Sequence, residues 1–167
     1  MTVIAWDGRS VAADTQCTFG DYRGPLRAQK IVKRGDFVYG ITGWSGWFEA
    51  WVKWHENGAD PANIPAAGVD ASQSGNFLVF HEGKALTCSA QMPYLQEVGA
   101  PDAWGSGADF AIGAMHAGAD ARQAVEITIA CTPSCGGSVD VIELSPTPPS
   151  RAARLASVAH LPFNGAA

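Results

Sequence analysis

The sequence has little of what would place it in several large functional classes. No run approaches the roughly 20 apolar residues needed to span a bilayer. The chain start carries none of the basic region, long apolar segment and small-residue cleavage site of an export signal. A cytoplasmic protein with no membrane partner is the expectation. Positive charge is also scarce: 11 Lys and Arg stand against 16 Asp and Glu, for a formal net charge of -5, and no basic run exceeds Lys33-Arg34. Nucleic-acid binding needs a concentrated positive surface, so no such partner is expected. Cysteine is limited to Cys17, Cys88, Cys131 and Cys135. Without an export signal these read as thiols rather than a disulfide framework. Cys131 and Cys135 have ligand-like spacing, but no second Cys or His pair matches them, so no metal is expected. His55, His81, His116 and His160 are isolated, which argues against a His-centred triad. No cofactor is implied.

The chain does contain enough apolar material for one globular core, with 47% apolar residues over 167 positions. TVIAWD (2–7) and SVAADT (10–15) read as strands joined at Gly8-Arg9. A Gly/Pro loop is expected from Gly20 to Pro25. A second hairpin follows, from Lys30–Val32 and Asp36–Thr42 around Arg34-Gly35. Trp44, Trp47, Trp51 and Trp54 recur at helical spacing and predict a helix from about Ser45 to His55 with its indoles on one face. That face belongs in the core or against another subunit. Residues 57–75 read as a connection. Strands are expected at Phe77–His81, at Ala85–Ser89 and, more briefly, near Tyr94–Val98. Two helices follow, the first presenting Phe110, Ala114 and Ala117 with Ser106 placed to cap it, the second opened by an Asp120/Gln123 capping box. A turn from Pro133 to Gly137 and a last strand, VDVIEL (139–144), complete a domain of residues 1–144. Residues 145–167 form a Pro/Ala-rich tail expected to be flexible or docked on a neighbour. Strands in both halves with helices single and paired predict an α+β fold of sheet layers covered by helices.

The chemistry begins at Thr2. Once Met1 is removed, one residue carries both a hydroxyl and an α-amine whose reference pKa of about 7.7 to 8.0 lets it accept a proton near neutrality. Asp14 ends the second strand, Lys30 opens the third, and Gly40 lies where a side chain would block an approaching oxyanion. Antiparallel neighbours bring Asp14 and Lys30 beside Thr2, where an ammonium lowers the cost of ionising the hydroxyl and a carboxylate keeps that ammonium charged. If Met1 were retained, the amine would be locked in a peptide bond and the base lost.

Taken in order, MTVIAWDG, AADTQCTFG, QKIV, YGITG, WGSGADFAIGAMHAG and SCGGSVDVIEL resemble the proteasome β-subunit family, nearest to HslV-type peptidases and related bacterial or phage proteasome-like subunits. The resemblance covers about residues 2–144. It implies an N-terminal nucleophile hydrolase: a four-layer αββα sandwich of two mainly antiparallel sheets, assembled as a homo-oligomeric ring or stacked rings with sites facing a chamber. It further implies a threonine endopeptidase acting on unfolded polypeptide and commonly fed by an ATP-dependent unfoldase. Thr2 matches the nucleophile, Asp14 and Lys30 its acid and base partners, Gly40 the oxyanion amide and Ser106 the serine near the terminal amine. Thr18 matches the position whose backbone pairs with substrate. Cys17, Ala28, Val38 and Thr42 match the surround of the pocket for the side chain preceding the cut, and suggest a modest apolar one. One departure is TPSCGGSVD, which puts Thr132 and Cys135 where many β-subunits carry an aspartate and a serine; HslV-type subunits also lack that aspartate. A catalytically silent ring-forming shell and a small-molecule amide hydrolase on the same nucleophile are the alternatives.

Overall fold

The computed structural model describes residues 1–20, 22–43, 45–65, 75–89, 92 and 94–144. The expected tail from 145, Trp44 and residues 66–74 of the 57–75 connection lie outside the described residues.

The chain start folds as β1 (Ile4–Trp6) and β2 (Ser10–Asp14). Asp7 shapes the turn between them, its carboxylate accepting the amides of Arg9 at 2.8 Å and Ser10 at 2.7 Å. The same carboxylate accepts the amide of Ala121 at 3.0 Å, which ties the hairpin to a helix more than a hundred residues away. Next come β3 (Gln16–Phe19) and β4 (Tyr22–Arg27), then β5 (Ile31–Arg34) and β6 (Phe37–Ile41). The first helix, α1, spans Phe48–Glu56. Four more strands follow: β7 (Asn76–His81), β8 (Lys84–Ser89), β9 (Gln96–Val98) and β10 (Asp102–Trp104). Helices α2 (Ala108–His116) and α3 (Ala121–Cys131) lead into β11 (Val139–Glu143).

These strands make two antiparallel sheets, ordered β10-β1-β2-β11 and β5-β6-β7-β8-β9, and a separate β3-β4 hairpin. Side chains alternate across a strand, so one strand serves two cores. Val3 and Ala5 face α2 and α3 with Ala111, Met115, Ala124 and Val125. Ile4 and Trp6 face the other way and meet Val38, Leu78 and Phe80 of the second sheet. On β7 the alternation continues, with Phe77 and Val79 turned outward to Trp51, Val52 and Trp54 of α1. Three core layers between four structural layers are the αββα sandwich the sequence implied.

This layering places two residues of the tryptophan stripe in the core. Trp51 and Trp54 are buried within the protomer and meet edge to face at 5.4 Å, each removing about 150 to 250 Å² from water. Trp47 packs partly buried against the same cluster, from a 3-10 turn that precedes α1.

Several local expectations are corrected. The stretch read as a Gly/Pro loop is largely the β3-β4 hairpin. Pro25 is tolerated there because β4 pairs only with β3, leaving an open edge where a missing N–H costs nothing. β10 was not expected: its three residues form a strand because β1 offers them an edge. Ser106 does not cap α2, whose N-cap is Gly107 with no side-chain cap bond. Phe110 is exposed, and the buried face of α2 runs through Ala111 and Met115. The Asp120/Gln123 capping box on α3 is present as read.

Candidate active site

Thr2 lies just before β1 and is 6% exposed. Its backbone is gripped by the loop after β10. Ser106 Oγ accepts the Thr2 N–H at 3.1 Å and donates to the Thr2 carbonyl at 3.3 Å, while the Gly107 amide donates to that carbonyl at 3.2 Å. So close a wrap needs Gly105, which has φ 99° and where any Cβ would collide with the Thr2 carbonyl. The freed Ser106 hydroxyl is thus the reason a cap-like serine sits one residue short of the helix.

Asp14, at the end of β2, is fully buried. Oδ1 accepts the Val3 amide at 2.9 Å and the Lys30 ammonium at 2.6 Å, and Oδ2 accepts the Gly136 amide at 3.0 Å. Lys30, immediately before β5, is buried as well and also donates to the Met1 carbonyl oxygen at 3.1 Å. A buried ion pair survives only when its remaining hydrogen-bonding capacity is used, and these backbone amides supply that. The result places a cation one peptide unit from the Thr2 hydroxyl, which itself makes no hydrogen bond among the described residues.

Thr2, Asp14, Lys30 and Ser106 are therefore brought together. Gly40 is not part of that cluster in the way the sequence suggested. It pairs with Leu78 of β7; the adjacent Ile41 amide donates to the Lys30 carbonyl and the Thr42 amide, two residues on, to the Asn76 carbonyl, so ladder alternation turns the Gly40 amide toward β7 as well. A Cβ at Gly40 would press on Ile4 and Leu78 at 3.3 Å, which makes this glycine a packing requirement between the sheets.

The expected pocket residues are dispersed. Val38 belongs to the inter-sheet core, and Thr42 is buried with its hydroxyl accepting the Asn76 amide at 2.9 Å. Cys17 and Ala28 are half-buried. Only Thr18 of this group lines the cleft beside the chain start, a space of about 270 Å³ shared with Met1, Tyr22, Arg23 and Pro133. Sequence reasoning missed Tyr22, Arg23 and Pro133 because their meeting depends on the β3-β4 hairpin folding over a turn some 110 residues later. It also missed the Gly107 and Gly136 amides, although the GSG and CGG stretches were a visible signal of close backbone approach. Cys135 is buried beneath the site; burial first, then the Asp14 charge, pushes its thiol upward against smaller opposing effects of Ser134, Lys30 and Ser106. No group of three or more potential metal ligands occurs among the described residues.

No family model and no curated protein matches the chain. Solved structures do. Thiobacillus denitrificans BPH in complex with epoxomicin is similar with a TM-score of 0.65 at 24% identity, over 87% of this chain and 100% of that one. Eukaryotic HslV from Trypanosoma brucei is similar with a TM-score of 0.66 at 21% identity, over 86% of this chain and 98% of that one. The shared fold is that of the N-terminal nucleophile hydrolases of proteasome and HslV type.

Proposed function

We propose that this protein is a threonine peptidase whose nucleophile is Thr2 after removal of Met1. The observation that carries the reading is the buried Lys30-Asp14 pair at 2.6 Å, with its ammonium also reaching the carbonyl that precedes Thr2. A buried, paired cation beside an unengaged hydroxyl at the chain start is an arrangement suited to nucleophile activation.

In the proposed reaction the Thr2 hydroxyl attacks a substrate carbonyl and passes its proton to the Thr2 amine. Lys30, whose ammonium lies 3.1 Å from the carbonyl oxygen that precedes Thr2, stabilises the negative charge developing on the hydroxyl oxygen. Asp14 keeps Lys30 charged and aimed, and Ser106 holds the Thr2 nitrogen. The amine then delivers the proton to the leaving nitrogen, and water cleaves the Thr2 ester. The Gly40 amide would join as an oxyanion donor only by leaving its ladder. By likeness to the ring-forming HslV and proteasome type, the working form is a cytoplasmic homo-oligomeric ring acting on unfolded polypeptide, with an ATP-dependent unfoldase as the natural feeder.

The BPH neighbour was solved with epoxomicin. The test therefore treats the Met1-processed protein with a peptide epoxyketone and measures intact mass, with Thr2→Ala as control. Adduct on Thr2, and peptide hydrolysis lost by at least about a thousandfold in the control, is expected. Equal hydrolysis by the two proteins overturns the reading. One observation favours a second reading, a silent ring-forming shell: the Met1 carbonyl is held by Lys30 as a ready-made cap. Intact mass retaining Met1 in the native host supports the shell.

A further inference from the structure

Asp14 aims Lys30, so whatever fixes Asp14 acts on the nucleophile at second hand. Its Oδ1 is held from β1 by the Val3 amide, whereas Oδ2 takes its amide from Gly136, in the turn between α3 and β11. That turn belongs to neither sheet, and its amide is useful to Asp14 only while the turn is pinned against the end of β2.

Thr15, the residue after Asp14, does the pinning. It is 3% exposed, and each of its polar atoms is bonded at this junction. Its amide donates to the Gly136 carbonyl at 3.2 Å, and its carbonyl accepts the Ala28 amide at 2.9 Å, two residues before Lys30. Its hydroxyl oxygen accepts the Ser138 amide at 2.9 Å and pairs with the Ser138 hydroxyl at 3.1 Å. One buried residue thus ties the strand that ends in Asp14 to the turn that supplies its amide and to the segment that leads to Lys30. The turn is shaped for this grip: Gly137 has φ 79°, and a Cβ there would lie 2.5 Å from Thr15 Oγ1, so no side chain fits between them. Gln16 adds a second hold, its side-chain nitrogen donating to the Pro133 carbonyl at 3.3 Å.

We infer that Thr15 is a positioning residue for the reaction: by latching the turn at Ser138, its hydroxyl keeps the Gly136 amide on Asp14 and, through Asp14, the Lys30 ammonium beside Thr2. This rests on Thr2 being the nucleophile and adds a residue that acts through Asp14. The backbone bonds of Thr15 survive a change of side chain, but the hydroxyl latch does not.

The experiment uses Met1-processed full-length protein and a peptide epoxyketone over a range of concentrations, with Thr2 labelling followed by mass spectrometry, so that the maximal rate and the half-saturating concentration are obtained separately. Thr15→Val keeps the shape and removes the hydroxyl; Thr15→Ser keeps the hydroxyl. Gly137→Ala presses on the same contact from the side of the turn, and Asp120→Ala is a destabilised control at the far end of α3. Expected is a maximal rate lowered roughly tenfold or more in Thr15→Val and Gly137→Ala, with the half-saturating concentration within about twofold of wild type. Thr15→Ser should stay within about threefold of the wild-type rate, and Asp120→Ala should match wild type. A folded Thr15→Val that labels at the wild-type rate, a Thr15→Ser as slow as Thr15→Val, or a loss seen only as a higher half-saturating concentration overturns the role of Thr15 while leaving the nucleophile standing. Should Thr15→Val fail to fold, Gly137→Ala decides by the same criteria. No labelling of Thr2 in the wild type overturns the hydrolase reading and this inference with it.

Discussion

At the scale of single residues, the site depends on a charge that only its partner makes tolerable. Lys30→Met keeps the length and removes the ammonium, leaving Asp14 buried with two backbone amides and no cation. Stability should fall by about 3 kcal/mol or more, read from urea unfolding midpoints, whereas adding Asp14→Asn to the same variant should recover part of the loss. Asp7 gives a different pH signature. Burial raises its carboxyl pKa, but hydrogen bonds from Ser10, Ala121 and Arg9 outweigh this and hold it below the usual carboxylate range. A folded value below the unfolded one means stability that is present above about pH 4 and lost as pH falls through the folded value. Asp7→Asn should therefore cost about 1 kcal/mol at pH 7 and much less near pH 2, with denaturant titrations at both pH values as the check.

At the scale of elements, the readings that held were those in which local chemistry and tertiary need agreed. The Asp120/Gln123 box could be read from spacing because its hydrogen bonds close within one helical turn. Asp120→Ala should lower stability by about 1 kcal/mol in a thermal melt, with little effect on Thr2 labelling, since Asp120 sits at the opposite end of α3 from Pro133 and Ser134, which line the cleft. Ser106 looked like a cap for the same local reason and is something else. The distant Thr2 backbone competes for its hydroxyl, and burying that backbone without partners would cost more than one helix end left to its own amides. Phe110 shows the same limit: helical period alone did not say which face of α2 the sheet would cover. The β3-β4 hairpin was hidden because Gly20 and Pro25 signal a loop, and only an unpaired outer edge makes that proline compatible with a strand.

At the scale of the whole molecule, three apolar layers bury Trp51 and Trp54 of α1 inside one protomer. If the proposed ring is the working form, native mass spectrometry should show a closed multiple of the protomer mass at micromolar concentration, and a monomer across that range would remove the ring. The sequence by itself determined the strand and helix periods, the absence of a transmembrane run, and the order of Thr2, Asp14, Lys30 and Ser106 along elements whose alternation and turns were visible locally. Tertiary structure alone decided that the Gly40 amide goes to a neighbouring strand, that Val38 fills the inter-sheet core, and that Arg23 is braced on Pro133 beside the chain start. Those outcomes follow from strand register and from the meeting of segments as much as 110 residues apart, and neither is encoded in any short stretch of chain.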